Sequence, residues 1–491
     1  MKCFPLCFLG RMLLASGSIL NRSIIVSHYM KCLVMPFNYF TSFRENIIGN
    51  QQHFESPYGV KRIVYADWTA TGRGYYPIER YMLEEVLPFV GNTHTGSTVT
   101  GSRMSEAYAA AKRKIKEHVH AGDDDVLLFC GSGMTGAVHK LQRMLKLRQA
   151  VVFVTAMEHH SNHISWMETG AVVEVIGLTA DGFVDLVHFG ELLDQYRDWS
   201  FKIAAVTACS NVTGMYTPYH EIAGMIHGYG GYCFVDFACA APYCEIDMHP
   251  GRGDGWLDAV YYSSHKLLGG PGTPGVLIFN KGLYNCAVPD QAGGGTVIYT
   301  NPWGERVYVE DIEVREDGGT PPFLMGIKAG LCVELKEEMG MERMRARMKE
   351  LLGIVFDRFA GMQGCYILQG NVVDRSGIVS FVVRGVHYNL VVRLLNDRFG
   401  VQVRGGCSCA GTYGHVLLKV GREESYGILR GIQAGDLSGK PGWVRLSLHP
   451  TMTDEEVGFV MDAIGMVVEY VGQWGKEYEY DAGRNEFVFR G

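Results

Sequence analysis

The chain has 491 residues, 47% of them hydrophobic and 20% charged, enough to bury a sizeable core in about two or three domains. Its net charge of −7 supplies no basic face, which argues against a nucleic-acid-binding protein. The 13 cysteines are odd in number, sit in a long chain and form no Cys-x-x-Cys pair, which excludes a disulfide scaffold and gives no zinc-ribbon spacing; a reducing compartment suits them.

The N-terminal segment differs from the rest. No acidic residue precedes Glu45, while Lys2, Arg11, Arg22, Lys31 and Arg44 are basic. This is the composition of a mitochondrial transit peptide, and equally of an over-long start with Met30 or Met35 as initiator. The expected location is therefore mitochondrial or cytoplasmic. No run of about 20 apolar residues occurs, so no membrane-spanning helix is expected.

Residues 1–59 are read as a leader or disordered extension, with folded sequence starting near Val60. Residues 63–65 read as a short strand, 78–89 as a helix, 92–102 as a polar loop and 105–118 as an amphipathic helix. The pattern then changes. Short apolar runs at 126–129, 151–154, 172–176, 203–207, 232–235, 259–262 and 276–279 alternate mostly with segments of helical spacing. Such runs suit buried strands of a mostly parallel, doubly wound sheet. In such sheets ligands bind beyond the carboxyl ends of the strands. Residues 60–340 are thus expected to form a large ligand-binding domain, and 341–491 a smaller α+β domain. The smaller one has helices at 341–358, 389–399 and 454–470 and strands at 377–383, 401–404 and 444–448.

Five features follow predicted strands. Lys266 enters a glycine-rich turn after Ser263-Ser264-His265, where a desolvated lysine can act as a Schiff-base nucleophile, although a lone loop lysine is ordinarily just solvated. Asp236 ends an apolar run, a costly position unless the carboxylate meets a cation. Gly131-Ser132-Gly133-Met134-Thr135-Gly136 joins a strand to a helix and can cradle a phosphate; the Lys of a Walker A loop is missing. Glu158-His159-His160-Ser161-Asn162-His163 offers imidazoles for stacking or proton transfer, but without the spacing of a metal site. Arg404-Gly405-Gly406-Cys407-Ser408-Cys409 sets thiols in a flexible loop beside a cation that can lower a thiol pKa.

In chain order, Gly131-Ser132-Gly133-Met134-Thr135, Glu158-His159-His160-Ser161-Asn162, Ser210-Asn211-Val212-Thr213-Gly214, Val235-Asp236-Phe237-Ala238 and Ser263-Ser264-His265-Lys266 resemble the class V aminotransferases, nearest the cysteine desulfurase and selenocysteine lyase branch. The resemblance runs from about Val60 to Val471. It implies the aspartate aminotransferase-like fold (fold type I), pyridoxal 5′-phosphate (PLP) as cofactor, a small amino acid as substrate, a homodimer and a possible sulfur-acceptor protein. By that resemblance Lys266 holds PLP as a Schiff base, Asp236 pairs with the ring nitrogen, His159 stacks on the ring and Asn211 lies near the ring oxygen. Ser132, Gly133, Met134, Thr135, Ser263 and His265 surround the phosphate, and Thr320 completes it from a neighbouring subunit. Arg445 binds the substrate carboxylate, assisted by Arg404, and Cys409 takes the substrate's sulfur as a persulfide, leaving alanine. No metal is implied. Three departures stand out: Cys239 where the family has a ring-supporting Gln, Cys407-Ser408 where the branch often has His, and a long stretch at 413–442. An aminotransferase or lyase acting on another small amino acid is the alternative, and a non-catalytic descendant a third reading.

Overall fold

All seven predicted apolar runs between residues 126 and 279 are strands of one sheet. They are β1 (Asp125–Cys130), β2 (Ala150–Thr155), β3 (Val172–Ile176), β4 (Phe201–Thr207), β5 (Tyr232–Asp236), β6 (Ala259–Ser263) and β7 (Gly275–Asn280). The order across the sheet is β1-β7-β6-β5-β4-β2-β3. β7 runs antiparallel to β1 and β6, and the other neighbours pair in parallel. Every residue of β1, β2 and β6 is buried, as helices on both faces demand. The computed structural model describes residues 39–491 apart from His94, Lys146, Arg148 and Arg252. Residues 1–38 of the leader expected at 1–59 lie outside them.

Eight of the helices are α1 (Val99–His118), α2 (Gly133–Leu145), α3 (His160–Met167), α4 (Phe323–Met339), α5 (Met341–Ala360), α6 (Gly411–Leu418), α7 (Arg422–Gln433) and α8 (Asp454–Trp474). A second sheet gathers β8 (Cys365–Ile367), β9 (Ile378–Val383), β10 (Arg404–Gly406) and β11 (Trp443–Ser447) in the order β8-β9-β11-β10. It is antiparallel throughout. α6 and α7 fill the long stretch at 413–442.

Several boundaries differ from the sequence reading. The folded unit starts at Phe40, twenty residues before Val60, with a helix at Thr41–Glu45 and a hairpin pairing His53–Ser56 with Gly59–Arg62. α1 starts at Val99 inside the expected loop, because Thr98 caps it by accepting from the Gly101 N–H at 3.2 Å. The expected helix at 78–89 is α-helical only over Tyr76–Tyr81 and then passes through a π turn and a 3-10 turn. Pro88 lacks the N–H that a regular helix needs there. The single strand expected at 401–404 is two: Val401–Gln402 pairs with Val64–Tyr65, and Arg404–Gly406 is β10.

The β1–α2 loop lies directly on β7. A Cβ on Gly275 would sit 2.0 Å from the Gly133 carbonyl oxygen, and one on Gly136 would sit 1.6 Å from that of Gly131. No side chain fits at either point. Within an ordinary helix, Gly→Ala stabilises by about 1 kcal/mol. Here Gly136→Ala is expected to lower the unfolding free energy by roughly 2 kcal/mol, because the Gly131 carbonyl at the start of the loop must be displaced. Urea denaturation measures it; a gain in stability would show that the loop is free to move.

Candidate active site

The carboxyl ends of β1, β2, β4, β5 and β6 carry the singled-out motifs. Lys266 closes a single 3-10 turn, Ser264–Lys266, immediately after β6. Its pKa is lowered by desolvation, against the pull of nearby Cys239 and Asp236, with Arg445 and Arg404 pushing the same way as burial. Asp236 is the last residue of β5 and is 3% exposed. Desolvation raises its carboxyl to about 6, although its Oδ1 accepts from the Ala238 N–H at 2.7 Å and Lys266 stands near. Lysine and carboxyl therefore influence each other in a region shielded from water.

His159 caps α3, its Nδ1 accepting from the Ser161 N–H at 3.1 Å. Burial, then the charges of Lys266, His160 and Arg445, lower its pKa to about 3, so the ring is neutral. The three histidines of this segment have separate partners. His160 Nε2 accepts from the Gly411 N–H at 2.9 Å, and His163 Nδ1 pairs with the Thr412 hydroxyl at 3.2 Å.

The glycine loop and the Lys266 turn form one cup. Ser132 and Gly133 have φ of 59° and 61°, a left-handed pair that turns the chain into α2. The Met134 N–H donates to Ser263 Oγ at 2.8 Å, and a Cβ on Gly133 would meet that same Oγ at 2.7 Å and His265 at 3.9 Å. The Thr135 and Ser161 hydroxyls are 2.7 Å apart. His265, its pKa lowered to about 4 by burial and by Lys266, pairs with the Thr71 hydroxyl at 3.0 Å.

Across the site, Arg445 on β11 and Arg404 on β10 are opposite each other in register. Both hold Asp67: Arg445 donates to Oδ1 and Arg404 to Oδ2, each at 3.0 Å. Arg445 also donates to the Asn211 carbonyl at 3.1 Å, and its buried Nε has no partner. The Asn211 Nδ2 donates to the Ser408 carbonyl at 2.6 Å, which leaves its buried Oδ1 unpartnered. Ser408 and Cys409 have φ of 52° and 57°, both left-handed and neither glycine. Each such residue costs on the order of 1–3 kcal/mol and persists only where surrounding bonds hold it. Cys409 is exposed and Cys407 half-buried.

The structure thus brings together Ser132, Gly133, Met134, Thr135, His159, Asn211, Asp236, Ser263, His265, Lys266, Arg404, Cys409 and Arg445. Thr320 stands apart: it is exposed, beside Gly319, whose N–H donates to the Gly294 carbonyl. Cys239, in place of the family's Gln, points its thiol at the Cys209 carbonyl at 2.8 Å.

Two site residues escaped the sequence reading. Asp67 follows the short strand at 63–65, and its pairing with two arginines more than 330 residues away leaves no local signal. Glu158, 1% exposed, lies under α3 and accepts from Thr155, Asn162 and the Thr207 N–H. With no cation beside it, desolvation raises its carboxyl to about 8.

A family profile described as Aminotransferase class-V matches residues 64–460, and the chain belongs to that family of PLP-dependent enzymes. Among curated proteins it is similar to a probable cysteine desulfurase of Halalkalibacterium halodurans, 27% identical over 71% of this chain and 84% of the relative. It is similar to another from Halobacterium salinarum, 29% identical over 72% and 83%. Among solved structures it shares the fold of an apo cysteine desulfurase from Thermococcus onnurineus, with a TM-score of 0.72 at 21% identity over 87% of this chain and 98% of that one. The Escherichia coli cysteine desulfurase in its S-sulfonic acid form gives 0.70 at 21% identity over 88% and 98%.

The buried His159 has a consequence for stability. An unfolded histidine takes a proton near pH 6.5, whereas this one resists protonation down to about 3. Between those values the unfolded chain binds more protons, so His159 costs stability as pH falls, by at most about 1.4 kcal/mol per pH unit. The unfolding free energy of His159→Gln, measured by denaturant titration at pH 7 and pH 4, should fall less steeply than that of the wild type. Parallel pH curves for the two proteins would contradict a neutral buried ring.

Proposed function

We propose that this enzyme is a PLP-dependent cysteine desulfurase, which releases alanine from L-cysteine and keeps the sulfur on Cys409. The observation that carries the reading is the double role of Asn211. One residue bonds the thiol loop through Ser408 and the buried arginine of β11 through its carbonyl. The candidate sulfur acceptor and the candidate carboxylate anchor are thereby fixed to one wall of the Lys266 pocket. Relatives named as cysteine desulfurases support the same reading.

The residues fit PLP on the chain's own features. A cup too tight for any Cβ suits a phosphate, the Asn211 Oδ1 is a buried acceptor without a donor, and Asp236 is a buried carboxylate awaiting a stronger cation. Lys266 would hold the cofactor covalently through Nζ, and the burial that lowers its pKa favours the neutral amine this bond requires. Asp236 would face the ring nitrogen, His159 the ring face and Asn211 the ring oxygen. Ser132, Gly133, Met134, Thr135, Ser263 and His265 would enclose the phosphate. Thr320, exposed and remote from these bonds, would serve the site of a second copy of the chain; the exposed Ile298, Tyr299 and Trp303 of the preceding hairpin are apolar surface for such a partner. When bound, the cofactor supplies an electron sink for the pair left at the substrate's Cα.

The chain's own groups do the rest. Arg404, Arg445 and Asp67 together carry one net positive charge, which one substrate carboxylate would balance, and the buried Nε of Arg445 is a donor without a partner. Once displaced by the substrate amine, the neutral Lys266 Nζ takes the Cα proton. The Cys409 thiolate then attacks the substrate's sulfur: an S–S bond forms as the C–S bond breaks. L-cysteine plus enzyme thiol thus becomes alanine plus enzyme persulfide, which a sulfur-acceptor protein would discharge.

Incubation of PLP-loaded protein with L-cysteine should yield alanine, and sulfide when a reductant is present. Cys409→Ser should lose at least about 100-fold in rate while retaining the cofactor's visible absorption. Lys266→Ala should lose both. Failure of both wild type and Cys409→Ser to make alanine, with cofactor bound and responsive to other amino acids, would instead identify an aminotransferase or lyase.

A further inference from the structure

His159 has a place in the proposed mechanism; the adjacent His160 has none. Yet His160 is bonded twice to the thiol loop. Its backbone N–H donates to the Cys409 carbonyl at 2.7 Å, and its ring Nε2 accepts from the Gly411 N–H at 2.9 Å. One residue therefore holds the peptide units on both sides of Ala410. A third bond, from Asn211 Nδ2 to the Ser408 carbonyl, anchors the loop one residue earlier. These bonds surround the two consecutive left-handed residues, Ser408 and Cys409, neither of which favours that backbone region.

We infer that His160 is a positioning residue for Cys409: its imidazole latches the start of α6 and so keeps the thiol in one strained pose at the pocket mouth. The inference deepens the desulfurase reading and rests on it only for its catalytic consequence. Its ring must be neutral at Nε2 to accept the Gly411 N–H; a protonated imidazole has two donors and no acceptor. Burial, then Lys440, lowers the His160 pKa, which keeps the latch closed at neutral pH. The charged and titratable groups that act on the ring are Lys440 from the turn before β11 and His159 and His163 from its own segment. His139, Arg143 and Glu168 line the same cleft beyond α2.

The test reads the latch without turnover. Amide hydrogen exchange at Gly411, corrected for intrinsic rates, should speed up at least about 10-fold in His160→Ala and recover to within about 3-fold of wild type in His160→Gln, whose side-chain oxygen can accept the same N–H. In the wild type, but not in His160→Gln, protection of Gly411 should drop as pH falls through protonation of the His160 ring, followed in parallel by its NMR signals. A folded His160→Ala that keeps Gly411 protected, or wild-type protection that survives protonation of the His160 ring, would overturn the latch. If His160→Ala does not fold, the wild-type and His160→Gln pH profiles carry the test alone. Alanine formation is read separately: His160→Ala should lower kcat with L-cysteine by about 10-fold or more and leave KM within about 3-fold, since the carboxylate anchor is untouched. Loss of Gly411 protection without any alanine from the wild type would leave the latch standing and sink the desulfurase reading.

Discussion

Asp67 is a carboxylate shared by two guanidiniums, and the site is assembled around it. It follows the short strand Val64–Tyr65, near the start of the folded unit, whereas Arg404 and Arg445 belong to the second sheet. Arg445 reaches onward to the Asn211 carbonyl beyond β4 of the large sheet. Three segments distant in sequence therefore meet at one charge. A buried arginine without its partner destabilises a fold by about 3–5 kcal/mol, so Asp67 is as much a structural requirement as a local electrostatic device. The surroundings reinforce it. Asp67 bridges to Ser447, the Thr69 N–H donates to the Ser447 hydroxyl, and Trp68 stacks on His449 at 4.1 Å.

Dryness does the remaining electrostatic work. Burial raises the Asp236 and Glu158 carboxyls and lowers Lys266, His159 and His265, each against the form that water would favour. Acids rise and bases fall toward neutrality together, which readies the site for proton transfer without large swings in charge. Cys409 is the exception, standing exposed where a protein partner could reach it. Its loop is held by hydrogen bonds to Asn211 and His160.

The strands were legible because buried parallel strands must be short apolar runs, and all seven from Asp125 to Asn280 were read within two residues at either end. The motifs at their carboxyl ends were legible for the same reason, since strand order fixes where loops meet. What the sequence hid was non-local or marginal. The hairpins at His53–Arg62, Val297–Tyr308 and Tyr478–Phe489 are half-exposed and carry weak alternation. The division of residues 401–406 between two sheets depends on partners far away in the chain. Asp67 carried no local signal because its partners lie more than 330 positions later. The exposed position of Thr320 had no sequence signal apart from the family resemblance.

The glycine-on-glycine contacts between the β1–α2 loop and β7 leave no side chain whose rotamer could shift. The cup they shape is consequently preorganised: its backbone is set by the sheet itself and not by whatever anion it receives. Little conformational entropy remains to be lost on binding, so more of the electrostatic attraction is available as affinity. Such a cup also discriminates by size, because a rigid backbone cannot widen to admit a bulkier group.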